Sequence, residues 1–104
     1  MADVNGFFTE FLPNKLKGNP DIAKSINAVY QFNLGDEGNW IVDLTEGGGI
    51  SKGDHADPGC VVTAKGADFS SLLDNPSSAM MMFTMGKLKV SNISLGMSLQ
   101  KLLG

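Results

Sequence analysis

The chain has 104 residues, of which 42% are hydrophobic and 18% charged, and this composition predicts one soluble globular domain, residues 1–104, with a modest core. Its net charge is −3 and it contains no Arg, which disfavours nucleic-acid binding and removes the usual bidentate clamp for phosphate or carboxylate groups. Any ligand specificity is therefore expected to come from shape.

The first residues and the cysteine content bear on cellular location. Residues 1–5 have neither the basic segment nor the long apolar segment of a signal peptide. The single Cys60 cannot form an internal disulfide. We therefore expect an intracellular, reducing compartment.

Two helices are predicted before the first strand. An apolar stripe at helical spacing indicates an amphipathic first helix, which Pro13 is expected to end: Val4, Phe7, Phe8, Phe11 and Leu12. The tripeptide Asn19-Pro20-Asp21 predicts an N-cap, a first helical proline and an acidic first turn for a second, short helix.

Apolar residues then alternate with a period of two. This pattern predicts a strand over residues 28–34 with one wet face, a turn at residues 35–38 and a hairpin partner over residues 40–45. The segment Gly47-Gly48-Gly49 leads into a short third strand around Ile50, and the β-branched residues 60–64 predict a fourth.

The remaining residues predict helices around one strand. A helix follows Gly66, a second runs from Asn75-Pro76 to Gly86, a fifth strand contains Leu88 and Val90, and Asn92 is expected to cap a last helix over residues 93–103. Early hairpins followed by grouped helices indicate an α+β fold with helices on one face of the sheet.

The last two helices are more apolar than one-sided packing requires. In the final helix Ser94, Ser98 and Lys101 form one narrow polar stripe, and residues 80–85 contain four methionines and Phe83. Methionine adapts to apolar surfaces of varied shape, which suits a ligand-binding wall. A tightly packed core, or an apolar surface that serves a dimer, explains the same pattern.

Several segments resemble the signature of the sterol carrier protein type 2 family. The residues GKLKV at 86–90 and LGMSLQ at 95–100 are similar to the ending of these domains, and NWIVDL at 39–44 is similar to one of their strands. The residues VYQF at 29–32, CVVT at 60–63 and Asp68-Phe69 resemble further family segments, so the resemblance covers the chain from Phe7 onward.

The resemblance implies a five-stranded, mostly antiparallel sheet that is covered by about five helices and encloses an apolar tunnel. It implies an intracellular carrier, not an enzyme, that binds fatty acids, fatty acyl-CoA, sterols or similar lipids and transfers them between membranes or enzymes. We expect a monomer with transient membrane contact, no cofactor and no metal. The residues expected to contact the lipid are apolar: Phe32, Val62, Phe69, Leu72, Leu73, Met81, Met82, Phe83, Met85, Leu88, Ile93, Met97, Leu99 and Leu103. The alternative is a non-enzymatic interaction domain whose apolar C-terminal helices dock a partner protein or form a dimer.

The sequence also departs from the family pattern. The pair Asn75-Pro76 lies further toward the N-terminus than the family's Asn-Pro, and the linker before the last helix is one residue short. The residues Lys101-Leu102-Leu103-Gly104 are not a peroxisomal Ser-Lys-Leu signal, so a cytoplasmic location is expected unless the natural chain carries such a signal beyond Gly104.

One polar cluster has side chains capable of metal chemistry: Asp54, His55, Asp57 and Cys60. Their spacing matches no zinc pattern, and the nearby Gly53, Pro58 and Gly59 favour a solvated turn. We therefore predict neither catalytic residues nor a metal site. Lys87 and Lys89 share one side of the fifth strand, where they form a solvated face or meet lipid head groups.

Overall fold

The computed structural model of the protein describes residues 3–45 and 48–103 and contains one five-stranded sheet. Its strands are β1 (Val29–Asn33), β2 (Asn39–Asp43), β3 (Ile50–Lys52), β4 (Cys60–Ala64) and β5 (Leu88–Val90). The order across the sheet is β3-β2-β1-β4-β5, in which β1 and β4 are parallel and the other neighbours are antiparallel. The predicted mostly antiparallel, five-stranded α+β fold is confirmed.

The helices follow the predicted order. They are α1 (Val4–Gly6), a π-helical segment (Phe7–Phe11), α2 (Leu12–Gly18), α3 (Pro20–Ile26), α4 (Gly66–Asp74), α5 (Ala79–Thr84), α6 (Ile93–Ser98) and α7 (Gln100–Leu103). Single 3-10 turns occupy Gly35–Glu37 and Pro76–Ser78. Gly47, which was predicted to lead into the third strand, lies outside the described residues.

The prediction that Pro13 ends the first helix is wrong. The chain stays helical from Val4 to Gly18, and Pro13 lies in the first turn of α2. The π-helical segment precedes this proline, and Leu12 donates its N–H to the Phe7 carbonyl five residues earlier. The wider turn leaves room for a proline ring and for a residue that has no N–H to donate, so the helix continues.

The predicted caps had mixed outcomes. The Asn92 side chain accepts a hydrogen bond from the Leu95 N–H at 3.1 Å, which confirms it as the cap of α6. The Asn19 side chain instead donates to the Lys15 carbonyl, and the Asn75 side chain accepts from Ser77, so neither caps the helix that follows it. Each proline still begins its helical segment, because a fixed φ and a missing N–H suit that position.

The predicted single last helix is two helices. The Leu95 carbonyl accepts from both the Tyr30 hydroxyl and the Leu99 N–H, and the Leu99 N–H is shared with the Gly96 carbonyl. The next bond, from Leu102 to Leu99, spans three residues instead of four. The helix therefore tightens at Leu99 and starts again as α7.

The core lies between the sheet and the helices. Alternate strand residues such as Tyr30, Phe32 and Val62 are fully buried on the helix side. The opposite face of β1 was predicted to be wet, yet Gln31 on that face is buried. Its amide donates to the Gly53 carbonyl at 2.9 Å and its oxygen accepts from the His55 N–H at 2.6 Å, so the loop after β3 covers this part of the outer face.

Aromatic rings join the first helix to the sheet. The Phe8 ring stacks on Trp40 with a centroid distance of 4.7 Å and on Phe69 at 5.8 Å. It also meets the edge of Phe32 at 5.2 Å. Such ring pairs contribute beyond the area that they bury, so Phe8 fixes the position of the first helix against β1, β2 and α4.

We expect Phe8→Ala to destabilise the protein by about 3–5 kcal/mol, because it removes a buried ring that contacts four others. The control is Phe11→Ala on the same helix, where the side chain is 47% exposed and a loss of about 1 kcal/mol or less is expected. Denaturant unfolding of both variants measures the difference. Equal losses would contradict the role assigned to Phe8.

Candidate functional site

An apolar cleft of about 90 Å³ lies between α5, β5 and α6. The side chains that line it are almost all apolar: Ala79, Met80, Phe83, Leu88, Val90, Ile93, Gly96, Met97 and Gln100. Other surface depressions are wider, but charged or polar residues contribute more to their walls, as Asp3 and Glu10 do near Phe11. The cleft is therefore the place where an apolar ligand would find the least polar surface.

The floor of the cleft is the inner face of β5. This strand is at one edge of the sheet, and its only sheet partner among the described strands is β4. Leu88 is buried and Val90 is half-buried, whereas Lys89 between them is exposed on the other face. The period of two in this short strand thus separates an apolar floor from a charged outer surface.

Gly96 determines how closely α6 approaches this floor. A Cβ atom placed on Gly96 would lie 2.9 Å from one methyl carbon of Val90 and 3.1 Å from the other. A valine side chain is stiff, so it cannot move away without shifting the strand. Any larger residue at position 96 would therefore push α6 away from β5 and change the shape of the cleft.

A buried tyrosine holds α6 to the centre of the sheet. Tyr30 in β1 is fully buried, and its hydroxyl donates to the Leu95 carbonyl at 2.5 Å. Burial raises the pKa of Tyr30 well above its ordinary value, and the charge of a Cys60 thiolate would raise it further. The phenol thus stays protonated, as it must to donate to a carbonyl.

The three sides of α5 have different environments. Ala79 and Met82 are buried against the core. Met80 and Phe83 line the cleft. Met81 and Met85, the residue directly after α5, are four residues apart and therefore on one side of this helical turn; each is 60% exposed and does not line the cleft. The apolar excess predicted for this segment is thus divided among core, cleft and surface.

The structure brings four of the predicted lipid-contact residues into the cleft: Phe83, Leu88, Ile93 and Met97. Seven are buried in the core: Phe32, Val62, Phe69, Leu72, Met82, Leu99 and Leu103. Leu73 is half-buried beside Leu103, and Met81 and Met85 are exposed outside the cleft. Lipid contact at all these residues stays a prediction, as does a continuous tunnel.

Five lining residues were not predicted: Ala79, Met80, Val90, Gly96 and Gln100. Met80 and Val90 adjoin predicted residues in the same elements, so their helical and strand periods carried a usable signal. Gly96 was also visible in the sequence, since a glycine inside a helical pattern marks close packing or a functional constraint. The sequence distinguished Gln100 only as the last residue of the family-like segment LGMSLQ at 95–100.

The polar cluster after β3 forms a hydrogen-bonded turn. The Asp54 carboxylate accepts from the Asn39 side-chain amide at 2.7 Å, and the His55 ring accepts from the Asp57 N–H at 3.0 Å. Cys60 is buried in the core and so lies apart from the exposed Asp57. Across residues 3–45 and 48–103, no three His, Cys, Asp or Glu side chains are grouped as metal ligands.

Asp43 also has a local role. The hydroxyl and the backbone N–H of Thr45 both donate to its carboxylate. The hydroxyl contributes most to lowering the pKa of Asp43 below its ordinary value, followed by the N–H. This carboxylate therefore stabilises the end of β2 and is remote from the cleft.

Within the part of the chain that the structure describes, no helix combines the length and the apolar character needed to cross a membrane.

Comparisons with known proteins agree with this fold. The family model described as the SCP-2 sterol transfer family matches residues 8–104. Hydroxysteroid dehydrogenase-like protein 2 of Bos taurus is 39% identical over an alignment of 88 residues, and the match covers 80% of this chain and 21% of that protein. The chain therefore spans about a fifth of the length of this relative.

Solved structures show the same fold. The apo form of sterol carrier protein 2 from Yarrowia lipolytica has a TM-score of 0.74 and 26% identity, covering 94% of this chain and 81% of that one. Palmitated SCP2L2 from Aedes aegypti has a TM-score of 0.68 and 21% identity, covering 94% of this chain and 92% of that one.

The fold and the apolar cleft define a domain of the lipid-binding class. The chain belongs to the SCP-2 sterol transfer family. The resemblance read from the sequence is thereby confirmed.

We expect the single tyrosine to stay protonated until the protein unfolds. A buried phenol with a raised pKa adds stability that is fully present below its unfolded pKa of about 10 and is lost as the pH rises through the folded value. Because Tyr30 is the only Tyr, the ultraviolet absorbance of tyrosinate reports this residue alone and should appear together with loss of circular dichroism.

The matching variant is Tyr30→Phe, which removes the donor to Leu95 and leaves the ring in place. A stability loss of about 1 kcal/mol is expected at neutral pH. Tyrosinate that appears near pH ~10 in the folded protein would contradict the burial and the bond.

Proposed function

We propose that this protein carries a single apolar lipid, such as a fatty acid, the acyl chain of fatty acyl-CoA or a sterol, in the cleft between α5, β5 and α6. The observation that carries the proposal is that four exposed apolar side chains, two from each helix, form the walls of a cleft whose floor is apolar strand residues. The walls are Met80 and Phe83 of α5 and Ile93 and Met97 of α6. In this proposal the protein acts by binding and releasing the lipid, without catalysis.

The physical argument for affinity needs no charged contact. Burial of about fifteen methylenes at ~0.8 kcal/mol each gives about 12 kcal/mol before costs. Association costs of about 4 kcal/mol leave about 8 kcal/mol, which corresponds to a dissociation constant of about 1 μM. The absence of Arg is therefore no obstacle to an apolar ligand, although it disfavours tight gripping of a phosphate or carboxylate.

A cleft of about 90 Å³ must open to accept such a ligand, since ligand pockets usually measure about 300–1,000 Å³. An empty cavity of about 300 Å³ would cost about 7 kcal/mol, which is comparable with the whole stability of a small domain. We therefore propose that the cleft is narrow without lipid and widens when α5 moves away from α6. The exposed methionines of α5 suit this role because their side chains repack at low cost.

The family membership supports a lipid ligand in general, and the palmitated SCP2L2 of Aedes aegypti supports an acyl chain in particular. The Yarrowia lipolytica relative is described as a sterol carrier protein, which keeps a sterol among the candidates. The wider activity of the bovine relative is no guide, since the match covers 21% of it.

A second candidate function is an interaction domain. The exposed Met81 and Met85 favour it, since they are apolar and lie outside the cleft. Native mass spectrometry separates the two: a carrier retains a lipid mass on a monomer, whereas a dimerising domain gives a protein dimer without added mass.

We expect the delipidated protein to bind a fluorescent fatty acid saturably, at one site per chain, and to release it when unlabelled fatty acid is added. Fluorescence titration measures the affinity, and circular dichroism checks that the delipidated protein is folded. A folded protein without saturable binding would refute the carrier proposal.

A tryptophan at Met97 is expected to weaken lipid binding at least tenfold without lowering stability by the ~1–3 kcal/mol typical of an overpacked core. Met97 lines the cleft and is 63% exposed, so the larger side chain takes space from the ligand without crowding the interior. Fatty-acid titration and denaturant unfolding of the delipidated variant are measured together. Phe83→Trp tests the opposite wall in the same way.

The matched control is Met81→Trp. Met81 is similarly exposed but lies outside the cleft, so its affinity should equal that of the parent. If Met97→Trp unfolds readily and still binds like the parent, the lipid site is elsewhere.

A further inference from the structure

We propose that the outer side of α5 and the lysines around the start of β5 form a docking surface for an anionic phospholipid bilayer. The docking surface consists of Met81, Met85, Lys65, Lys87 and Lys89. At this surface the proposed carrier would load and release its lipid, so the purpose of the surface rests on the proposed function. Binding of the protein to a bilayer can be measured independently of lipid binding in the cleft.

The apolar part of the docking surface packs in neither the core nor the cleft. Met81 and Met85 lie one helical turn apart and are each 60% exposed. The core contacts of α5 are made by Ala79 and Met82, and its cleft contacts include Met80 and Phe83. The two remaining methionines therefore present a flexible apolar edge to solvent on the helix that forms one wall of the cleft.

The end of α5 brings lysines next to these methionines. Gly86, with φ at +78°, ends the helix, its N–H donates to the Phe83 carbonyl, and the Lys87 N–H donates to the Met82 carbonyl. This pair of bonds is a Schellman motif, which turns the chain directly from Met85 into β5. Lysine follows at the first position after the turn.

Three exposed lysines surround one depression beside this turn. Lys65, Lys87 and Lys89 line it together with Gly86, and Asp68 is the acidic residue that also lines it. Lys89 lies across from Thr63 in the pairing of β5 with β4, on the outer face of the sheet. The charges are thus gathered where α5 ends.

The two parts of the chain also differ in net charge, and the positive part is the one that contains α5 and β5. Residues 75–104 contain three lysines and no Asp or Glu, whereas residues 1–74 contain five lysines and eleven acids. The segment that forms α5, β5, α6 and α7 therefore carries +3, and the rest of the chain carries −6. An anionic bilayer would attract the first part and repel the second, which orients the protein with α5 toward the lipid.

The chemistry of these side chains fits a bilayer surface. A lysine places its methylenes at the hydrocarbon boundary and its ammonium among the head groups, and an adjacent methionine inserts without leaving a polar atom unpaired. Met80 and Phe83, which line the cleft, lie on the same short helix as Met81, so the cleft lies next to the docking surface. An acyl chain can pass between bilayer and cleft with little exposure to water.

The test is sedimentation of the delipidated full chain with vesicles. Vesicles of phosphatidylcholine containing about 30% phosphatidylglycerol should bind it, pure phosphatidylcholine should bind it at least tenfold more weakly, and salt of about 0.5 M should release it. Lys87→Gln with Lys89→Gln should lower binding at least tenfold, because each lysine near an anionic bilayer contributes about fivefold. Met81→Ser with Met85→Ser should also lower it.

The matched controls make the same kinds of substitution at exposed residues outside the docking surface. Lys17→Gln with Lys24→Gln removes two exposed lysines from α2 and α3, and Phe11→Ser removes an exposed apolar residue from the first helix. Both should bind vesicles within about twofold of the parent, since they leave the docking surface intact. Fluorescent fatty-acid binding should be unchanged in every variant.

Several results would overturn the docking surface. They are a parent protein that does not bind anionic vesicles, equal binding to both vesicle types, and control variants that lose as much binding as the Lys87 and Lys89 pair. Failure of fatty-acid binding in a protein that still binds vesicles in this pattern refutes the carrier proposal and leaves the docking surface standing.

Discussion

The contact between α6 and the sheet decides where the apolar cleft lies. The Tyr30 hydroxyl from the central strand holds the Leu95 carbonyl, and the absent side chain of Gly96 lets the helix approach Val90 of the edge strand. Both contacts involve the middle of α6, so the outward residues Ile93 and Met97 are left beside α5 instead of in the core. The opening between the two helices follows from this placement.

The helix α5 is best understood from its three apolar sides. A helix that packs on one face buries one stripe of apolar residues and exposes polar ones. Here a buried side, a side toward the cleft and an exposed side are all built from methionine, alanine or phenylalanine. Such a helix gains little from one fixed position, because several of its surfaces are similar in chemistry and methionine adapts to each. It is the element of this fold best suited to move.

The tightly packed part of the molecule lies at β1 and β2, away from the edge strand β5 that forms the floor of the cleft. The rings of Phe8, Trp40, Phe69 and Phe32 pack together and join the first helix, β1, β2 and α4. Close packing of this kind is disturbed by any change in volume. The division of the domain into an aromatic core and a methionine-rich edge lets one region supply stability while the other changes shape.

The sequence by itself determined the five strands, the order of the elements and the family, because hydrophobic periods and turn residues are local signals and the matching segments extend over nearly the whole chain. It also located the apolar excess in the last two helices. It misjudged Pro13 and the single last helix, because the π-helical segment and the second hydrogen bond at Leu95 each depend on a contact or geometry that spacing does not record.

Only the tertiary structure divided the predicted lipid-contact residues among core, cleft and surface. Phe69 and Phe83 are alike in the sequence as apolar residues on apolar helices, yet the first packs among aromatic rings and the second lines the cleft. Periodicity tells which residues share a face of a helix, but not what that face meets. That is decided by contacts between distant parts of the chain, here the approach of α6 to β5 at Gly96 and its bond to Tyr30.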